Sequence, residues 1–268
     1  MMSEDIKKRK ETPAEVPLNA KEELAEFFKT ALIAVILALL IRTFLYEPFN
    51  IPSGSMKPTL LVGDYLFVNK PAYGYSRHSF PFSLAPIEGR IYAKEPKRGD
   101  VVVFKLPTNT RVDYIKRVIG LPGETVQVKG GRLYINGQIV EREPTGFEKV
   151  DVAGRGDITM MGYLETLPGG VIHRIYEESD DRHLDNTELY TVPADHYFVM
   201  GDNRDNSQDS RVMDNVGYVP FENIVGRADF LFFSTNGYAG LLEVWKWPWS
   251  IRYSRFFESL APVRMPEE

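Results

Sequence analysis

The sequence predicts a mainly β protein, an antiparallel β-sheet domain preceded by one N-terminal transmembrane helix. Three observations carry that expectation. Past Pro52 the chain is made of short runs rich in β-branched and aromatic residues, punctuated by glycine and proline. Across residues 125–140 those runs are joined by Gly130-Gly131 and Asn136-Gly137, dipeptides that turn a chain tightly between antiparallel neighbours. Residues 27–46 form the only strongly apolar segment.

With 268 residues, 43% of them hydrophobic and 26% charged, the chain suits one domain with an insertion and can bury a sizeable core. A net charge of −5 and the lack of a long basic face argue against nucleic acid as a partner. The chain has no cysteine, which excludes disulfides and any thiolate metal site.

Taken in order, residues 1–20 are polar, with Lys7-Lys8-Arg9-Lys10 followed by Pro13 and Pro17, and read as a disordered tail. An amphipathic helix is expected to begin near Ala20 and to run into the apolar segment. The uncharged stretch 30–41 is too short to cross a bilayer, which takes about 20 residues. Residues 27–46 supply that length if Lys29 and Arg42 reach outward to the interfaces, with aromatic residues at both borders. A cleaved signal sequence would end in a small-x-small site; here Arg42-Thr43-Phe44-Leu45-Tyr46-Glu47-Pro48 follows, so an uncleaved anchor is expected. The basic cluster favours a cytoplasmic tail over residues 1–26 and export of everything after the anchor.

Strands are expected at 64–70, 100–106, 113–119, 125–129, 132–135 and 138–140. Residues 71–97, with four prolines and two glycines, read as a surface loop or hairpin. A second excursion over 141–192 holds a hairpin, 158–166 and 171–177, about Pro168-Gly169-Gly170. Residues 220–226 read as a short turn before a strand at 227–233. The tail carries Trp245, Trp247 and Trp249 beside Lys246, Arg252 and Arg255, a composition that suits a membrane interface and core packing equally.

The chemistry centres on Pro52-Ser53-Gly54-Ser55-Met56. A serine hydroxyl is a poor nucleophile until a base takes its proton. No Gly-x-Ser-x-Gly elbow surrounds Ser55, and His78, His173, His183 and His196 lack triad-like context. Lysine is the other base. At period two, Tyr114, Lys116 and Val118 share one face of a strand, so Lys116 projects between largely apolar neighbours. To work near neutrality it must titrate roughly 3 pH units below its usual ~10.4, within the reach of burial. In an extended loop Ser53 faces the same way as Ser55, and its hydroxyl with the Ser55 amide would make a donor pair for a developing oxyanion. The bland reading of the same residues is a turn with capping serines.

Ser207, Asp209 and Arg211 alternate along one face if extended, and Asp209 with Arg211 would brace that loop as an ion pair. The acid-rich stretch 202–209 lacks the glycine and late glutamate of a calcium loop, and no histidine pair has zinc spacing, so no metal and no cofactor are expected.

Four motifs in order, Pro-Ser-Gly-Ser-Met-x-Pro-Thr-Leu at 52–60, Arg-Gly-Asp-Val-Val-Val-Phe at 98–104, Asp-Tyr-Ile-Lys-Arg at 113–117 and Gly-Asp-Asn-Arg-Asp-Asn-Ser-x-Asp-Ser-Arg at 201–211, closely resemble the bacterial type I signal (leader) peptidases. The resemblance covers roughly residues 27–255. It implies a membrane-anchored serine–lysine endopeptidase that removes signal peptides from exported preproteins after small-x-small sites. Ser55 would be its nucleophile, Lys116 its base and Ser207 the residue that orients the lysine, with Met56 and Tyr114 at the substrate pocket. It further implies a catalytic β domain of residues 47–140 and 193–268, a smaller β domain over 141–192, and partners limited to signal peptides and the lipid bilayer. The location implied is the bacterial inner (plasma) membrane, with the catalytic domain on the periplasmic or extracytoplasmic side. Two rivals are a self-cleaving repressor protease with a related serine–lysine fold, which is soluble, and a non-catalytic anchored β module. Neither explains the anchor and all four motifs together.

Overall fold

The computed structural model describes residues 20–80, 83 and 85–264, so the polar tail expected upstream of Ala20 lies outside the described residues. Helix α1 spans Ala20–Phe44. Contrary to expectation it is not amphipathic. Glu22, Glu23 and Glu26 sit in its first two turns, and from Phe27 to Ile41 only Lys29 interrupts the apolar and small residues. A helix apolar on every side has no face to offer water. Its 25 residues reach about 37 Å at 1.5 Å per residue, enough for a hydrocarbon core about 30 Å thick.

The helix stops at Phe44, short of the expected border at Tyr46. Pro48 gives the reason: the residue before a proline is pushed toward extended backbone, so Glu47 cannot continue a helix. Tyr46–Asn50 forms strand β1 instead.

From there the chain is antiparallel β. Strand β2 (Asp64–Asn69) pairs with β1, and β3 (Tyr75–Ser76) meets β4 (Arg90–Ile91) inside the segment read as loop or hairpin. Next come β5 (Val101–Leu106) and β6 (Asn109–Gly120), then the meander β7 (Thr125–Lys129), β8 (Arg132–Ile135) and β9 (Gln138–Ile139). Asn136 and Gly137 both take positive φ, 52° and 75°, which is what the two central residues of a tight hairpin turn require. Strands β10 (Glu141–Val152), β11 (Gly156–Leu167) and β12 (Val171–Glu177) follow. Strands β13 (Tyr190–Thr191), β14 (His196–Met200), β15 (Val219–Pro220), β16 (Ile224–Ser234) and β17 (Val263–Arg264) complete the set.

The largest sheet has the order β1-β2-β16-β5-β6-β14-β15, and two four-stranded sheets have the orders β10-β11-β12-β17 and β13-β7-β8-β9. Strand β10 has no counterpart in the sequence reading. Half of its residues are charged and most are exposed, and Pro144 and Gly146 flank a bulge that breaks the alternation.

Strand β5 explains its own sequence. Val101 and Val103 join one core cluster with Ile51, Met56, Leu60 and Leu66, while Val102 and Phe104 join another with Val118, Tyr197 and Val199. A strand covered on both faces reads as a continuous apolar run rather than an alternating one. Each such side chain contributes about 1.5–3 kcal/mol of burial. The strand beside it, β6, therefore lies against a rigid neighbour.

The tryptophan tail divides. Trp247 packs against Phe233 with the ring centres 5.0 Å apart, whereas Trp245 and Trp249 are exposed.

Candidate active site

The serine loop leaves β1 at Ile51, whose amide donates to Asp64 O at 2.8 Å. Met56 and Leu60 are fully buried in the core, and the Leu60 amide closes a turn on Met56 O at 2.9 Å. Those two anchors fix the loop from below. Met56 thus packs in the core, while Tyr114, Ser53, Ser55 and Lys116 line the cleft.

Lys116 sits on β6 opposite Val102 of β5 and is 3% exposed. Its Nζ lies 2.7 Å from Ser55 Oγ and 2.9 Å from Ile115 O, and 5.4 Å from the centre of the Tyr114 ring. Burial pulls this amine down to about 8; Asp209 and Asp202 oppose that by favouring the ammonium, and Arg211 adds to it. An amine of that strength is about half neutral at pH 8, and a neutral amine at 2.7 Å can accept the serine proton. Ser53 Oγ lies 3.4 Å from Ser55 Oγ, on the same side of the loop.

The segment 201–211 closes the site from behind. The Asn203 amide donates to Ser55 O and its Nδ2 to Gly54 O, both at 3.1 Å, so one residue holds two consecutive carbonyls of the nucleophile loop. Gly201 lets the two segments approach: a Cβ there would lie 2.5 Å from Ser55 O and 2.3 Å from Ser207 Oγ. Ser207 is buried beside Gly201, its hydroxyl near Asp209 and not bonded to Lys116, whose two Nζ bonds go to Ser55 and Ile115. Asp209 and Arg211 form a fully buried ion pair through two contacts of 2.9 Å. Burial raises the Asp209 carboxyl, but the Arg211 guanidinium outweighs it and holds the group below the usual carboxylate range.

Arg117, next to the lysine, is clamped on Asp202, which also accepts from Thr59 Oγ1 at 2.5 Å. Sequence reading passed over Asn203, Arg117 and Asp202 as site residues. All three stand inside the four motifs, but the contacts that tie them to the serine loop and to one another span 58 to 149 positions of sequence, a distance no local pattern encodes.

The serine and lysine open onto a cleft of about 950 Å³ whose lining includes Phe49, Ile51, Ser53, Ile115, Asn206 and Tyr238. Two strand edges contribute to its lining. Strand β1 ends its sheet, and β6 is paired by β14 only from Arg117 onward, so its stretch up to Lys116 keeps one side free. An extended peptide fits such an edge by main-chain hydrogen bonds.

A serine hydroxyl against a buried amine, beside a free strand edge in an antiparallel β fold, is the layout of a peptide-bond hydrolase. The family described as signal peptidase, peptidase S26, matches residues 24–233. A signal peptidase I of Rickettsia typhi is 42% identical over 91% of this chain and 95% of its own. One from Rickettsia prowazekii is 40% identical over 92% and 97%. The crystal structure of a signal peptidase I from Enterococcus faecalis matches at 30% identity over 50% of this chain and 97% of that chain, with a TM-score of 0.30. The chain belongs to the signal peptidase family, peptidase S26, and is a serine endopeptidase.

Proposed function

We propose that the protein removes N-terminal signal peptides from exported preproteins by a Ser55–Lys116 dyad. Ser55 Oγ attacks the scissile carbonyl as Lys116 takes its proton, and the oxyanion that forms is held by the Ser55 amide and the Ser53 hydroxyl. The C–N bond breaks with the proton passing from Lys116 to the leaving amine, which leaves an ester on Ser55. Water, deprotonated by the same lysine, hydrolyses that ester and restores the hydroxyl. The observation that carries this reading is the 2.7 Å contact between a buried Lys116 Nζ and Ser55 Oγ.

The substrate lies extended along β6, with small residues one and three places before the cut facing the apolar part of the cleft near Ile51 and Ile115. Ser207, buried beside Gly201, is the residue we assign to orienting the neutral lysine, and the Asp209–Arg211 pair braces it. Helix α1 is the single membrane anchor. The basic cluster at residues 7–10 puts the N-terminus in the cytoplasm and the catalytic domain on the far side of the inner membrane. The β10–β12 segment, within residues 141–192, is the smaller domain carried by the catalytic one.

The test is cleavage of a purified preprotein in detergent or liposomes by the wild type, Ser55→Ala and Lys116→Ala, with folding of each checked. Loss of cutting in both variants, with wild-type cleavage after a small residue, supports the dyad and the substrate class. Cutting by Ser55→Ala sinks the mechanism, and wild-type rates in Lys116→Ala require another base.

A further inference from the structure

Behind the site, and outside the cleft, lies a group of buried charges that the reaction as described does not use. Glu165 on β11 is 1% exposed and accepts from both terminal nitrogens of Arg204, the bond from Nη1 to Oε1 measuring 2.7 Å. Burial raises the Glu165 carboxyl, and Arg204 more than offsets this, so it stays ionised. His173 on β12 fills the space between two carboxylates, its Nε2 3.3 Å from Glu165 Oε2 and 3.9 Å from Asp202 Oδ1. Burial, and next the charge of Arg117, hold its ring down to about 4, so it is neutral at working pH.

Buried ion pairs such as Glu165–Arg204 are costly to assemble and weak as a source of stability, since well-packed apolar residues in their place often serve as well. What they supply here is direction. Arg204, gripped by Glu165, donates from Nε to Gly201 O at 3.3 Å, and its own carbonyl accepts from Arg211 Nη2 at 2.5 Å. Gly201 is the residue on which the Ser55 carbonyl and the Ser207 side chain rest. The end of β12 is tied to the same segment: the Tyr176 amide donates to Asp202 O at 2.9 Å, and the Glu178 amide to Asp205 Oδ2 at 2.7 Å. A contact path thus runs from β11 through one guanidinium to the backbone behind the nucleophile.

We infer that Glu165 is a positioning residue for the Ser55–Lys116 pair: by fixing Arg204 it fixes Gly201 and the 201–211 segment against the serine loop. The inference rests on the dyad reading above. It gives the sheet of β10, β11, β12 and β17 a part in catalysis without contact with substrate, because an error of about 1 Å in a reacting group costs on the order of 100-fold in rate.

The test uses the full-length protein in detergent and compares Glu165→Gln, Glu165→Asp and the double variant Glu165→Met with Arg204→Met, alongside wild type and Ser55→Ala. The readouts are thermal midpoint, kcat and KM on a purified preprotein. Glu165→Gln is expected to lower kcat by about 10- to 100-fold with KM unchanged, and Glu165→Asp to recover part of it. The double variant removes both charges together, so it is expected to recover the thermal midpoint but not kcat. Recovery of kcat together with the midpoint would make the pair a plain brace and overturn the inference, as would wild-type kcat in Glu165→Gln. Cutting by Ser55→Ala is a separate failure, visible in its own arm: it removes the serine mechanism and this inference with it.

Discussion

Arg117 meets Asp202 through two parallel bonds, Nε to Oδ1 at 2.8 Å and Nη2 to Oδ2 at 2.6 Å, with both side chains buried. The residue after the proposed base is thereby locked to the residue after Gly201. Removing one partner leaves the other charged and unpaired in the interior. Asp202→Ala is expected to destabilise the protein by about 3–5 kcal/mol. A thermal or urea melt of the purified variant checks this, and a midpoint equal to wild type would show that the pair adds no stability.

With Lys116 as the proposed base, the pH dependence follows from its amine. Its amine titrates near 8 in the fold, below the unfolded value of ~10.4. Only the neutral form accepts a proton, so kcat/KM should rise with pH through about 8 and level off above it. A profile that is flat from pH 6 to 10 would contradict this.

The same shift has a stability consequence of opposite character. Below pH 8 the lysine is protonated both in the fold and unfolded, and the cost of burying its charge is present in full; that cost lifts as the pH rises from 8 toward ~10.4. Lys116→Met should therefore abolish cleavage yet raise stability at pH 7, by up to about 3 kcal/mol. Denaturation at pH 7 and pH 10 measures it, the gain shrinking at the higher pH.

Ser53 is the side chain proposed as one of two oxyanion donors, its Oγ lying 3.4 Å from Ser55 Oγ. Ser53→Ala should lower kcat by roughly 100- to 1000-fold while the protein folds normally. Steady-state kinetics on a preprotein decides it, and an unchanged kcat would assign the second donor elsewhere.

Gly201→Ala should damage activity through packing alone. The added methyl would sit 2.3 Å from Ser207 Oγ and 2.5 Å from Ser55 O, and the latter is backbone that cannot swing aside. Loss of cutting with a stability cost of about 1–3 kcal/mol is expected, read from parallel kinetics and melts.

Much of the fold was legible because its signals are local. The Val-Val-Val-Phe run of β5, the Asn-Gly turn at 136–137 and the paired runs of β11 and β12 each announce themselves within a few residues. Strand β10 was not legible, since its largely exposed residues, half of them charged, gain their pairing only from β11 across a long hairpin. The border of α1 was missed for a smaller reason: apolar residues continue past Phe44, but Pro48 decides the backbone. At the site, Ser55 and Lys116 were found as residue types in suggestive company. Their closest support was not, because Asn203 is an ordinary polar residue until its amide and side chain are seen reaching Gly54 and Ser55. Met56 was read beside the pocket, but its neighbours Ile51 and Leu60 draw it into the core.

The free edge of β6 has a second consequence. A row of unpaired amides and carbonyls able to take the extended peptide proposed above would equally take the strand of another copy, and such edges seed aggregation. Arg111 and Asp113, exposed side chains on that stretch, put charge of both signs where a sister strand would pair. Charged side chains on a strand edge are a common guard against such pairing, and these two stand on the free stretch of β6.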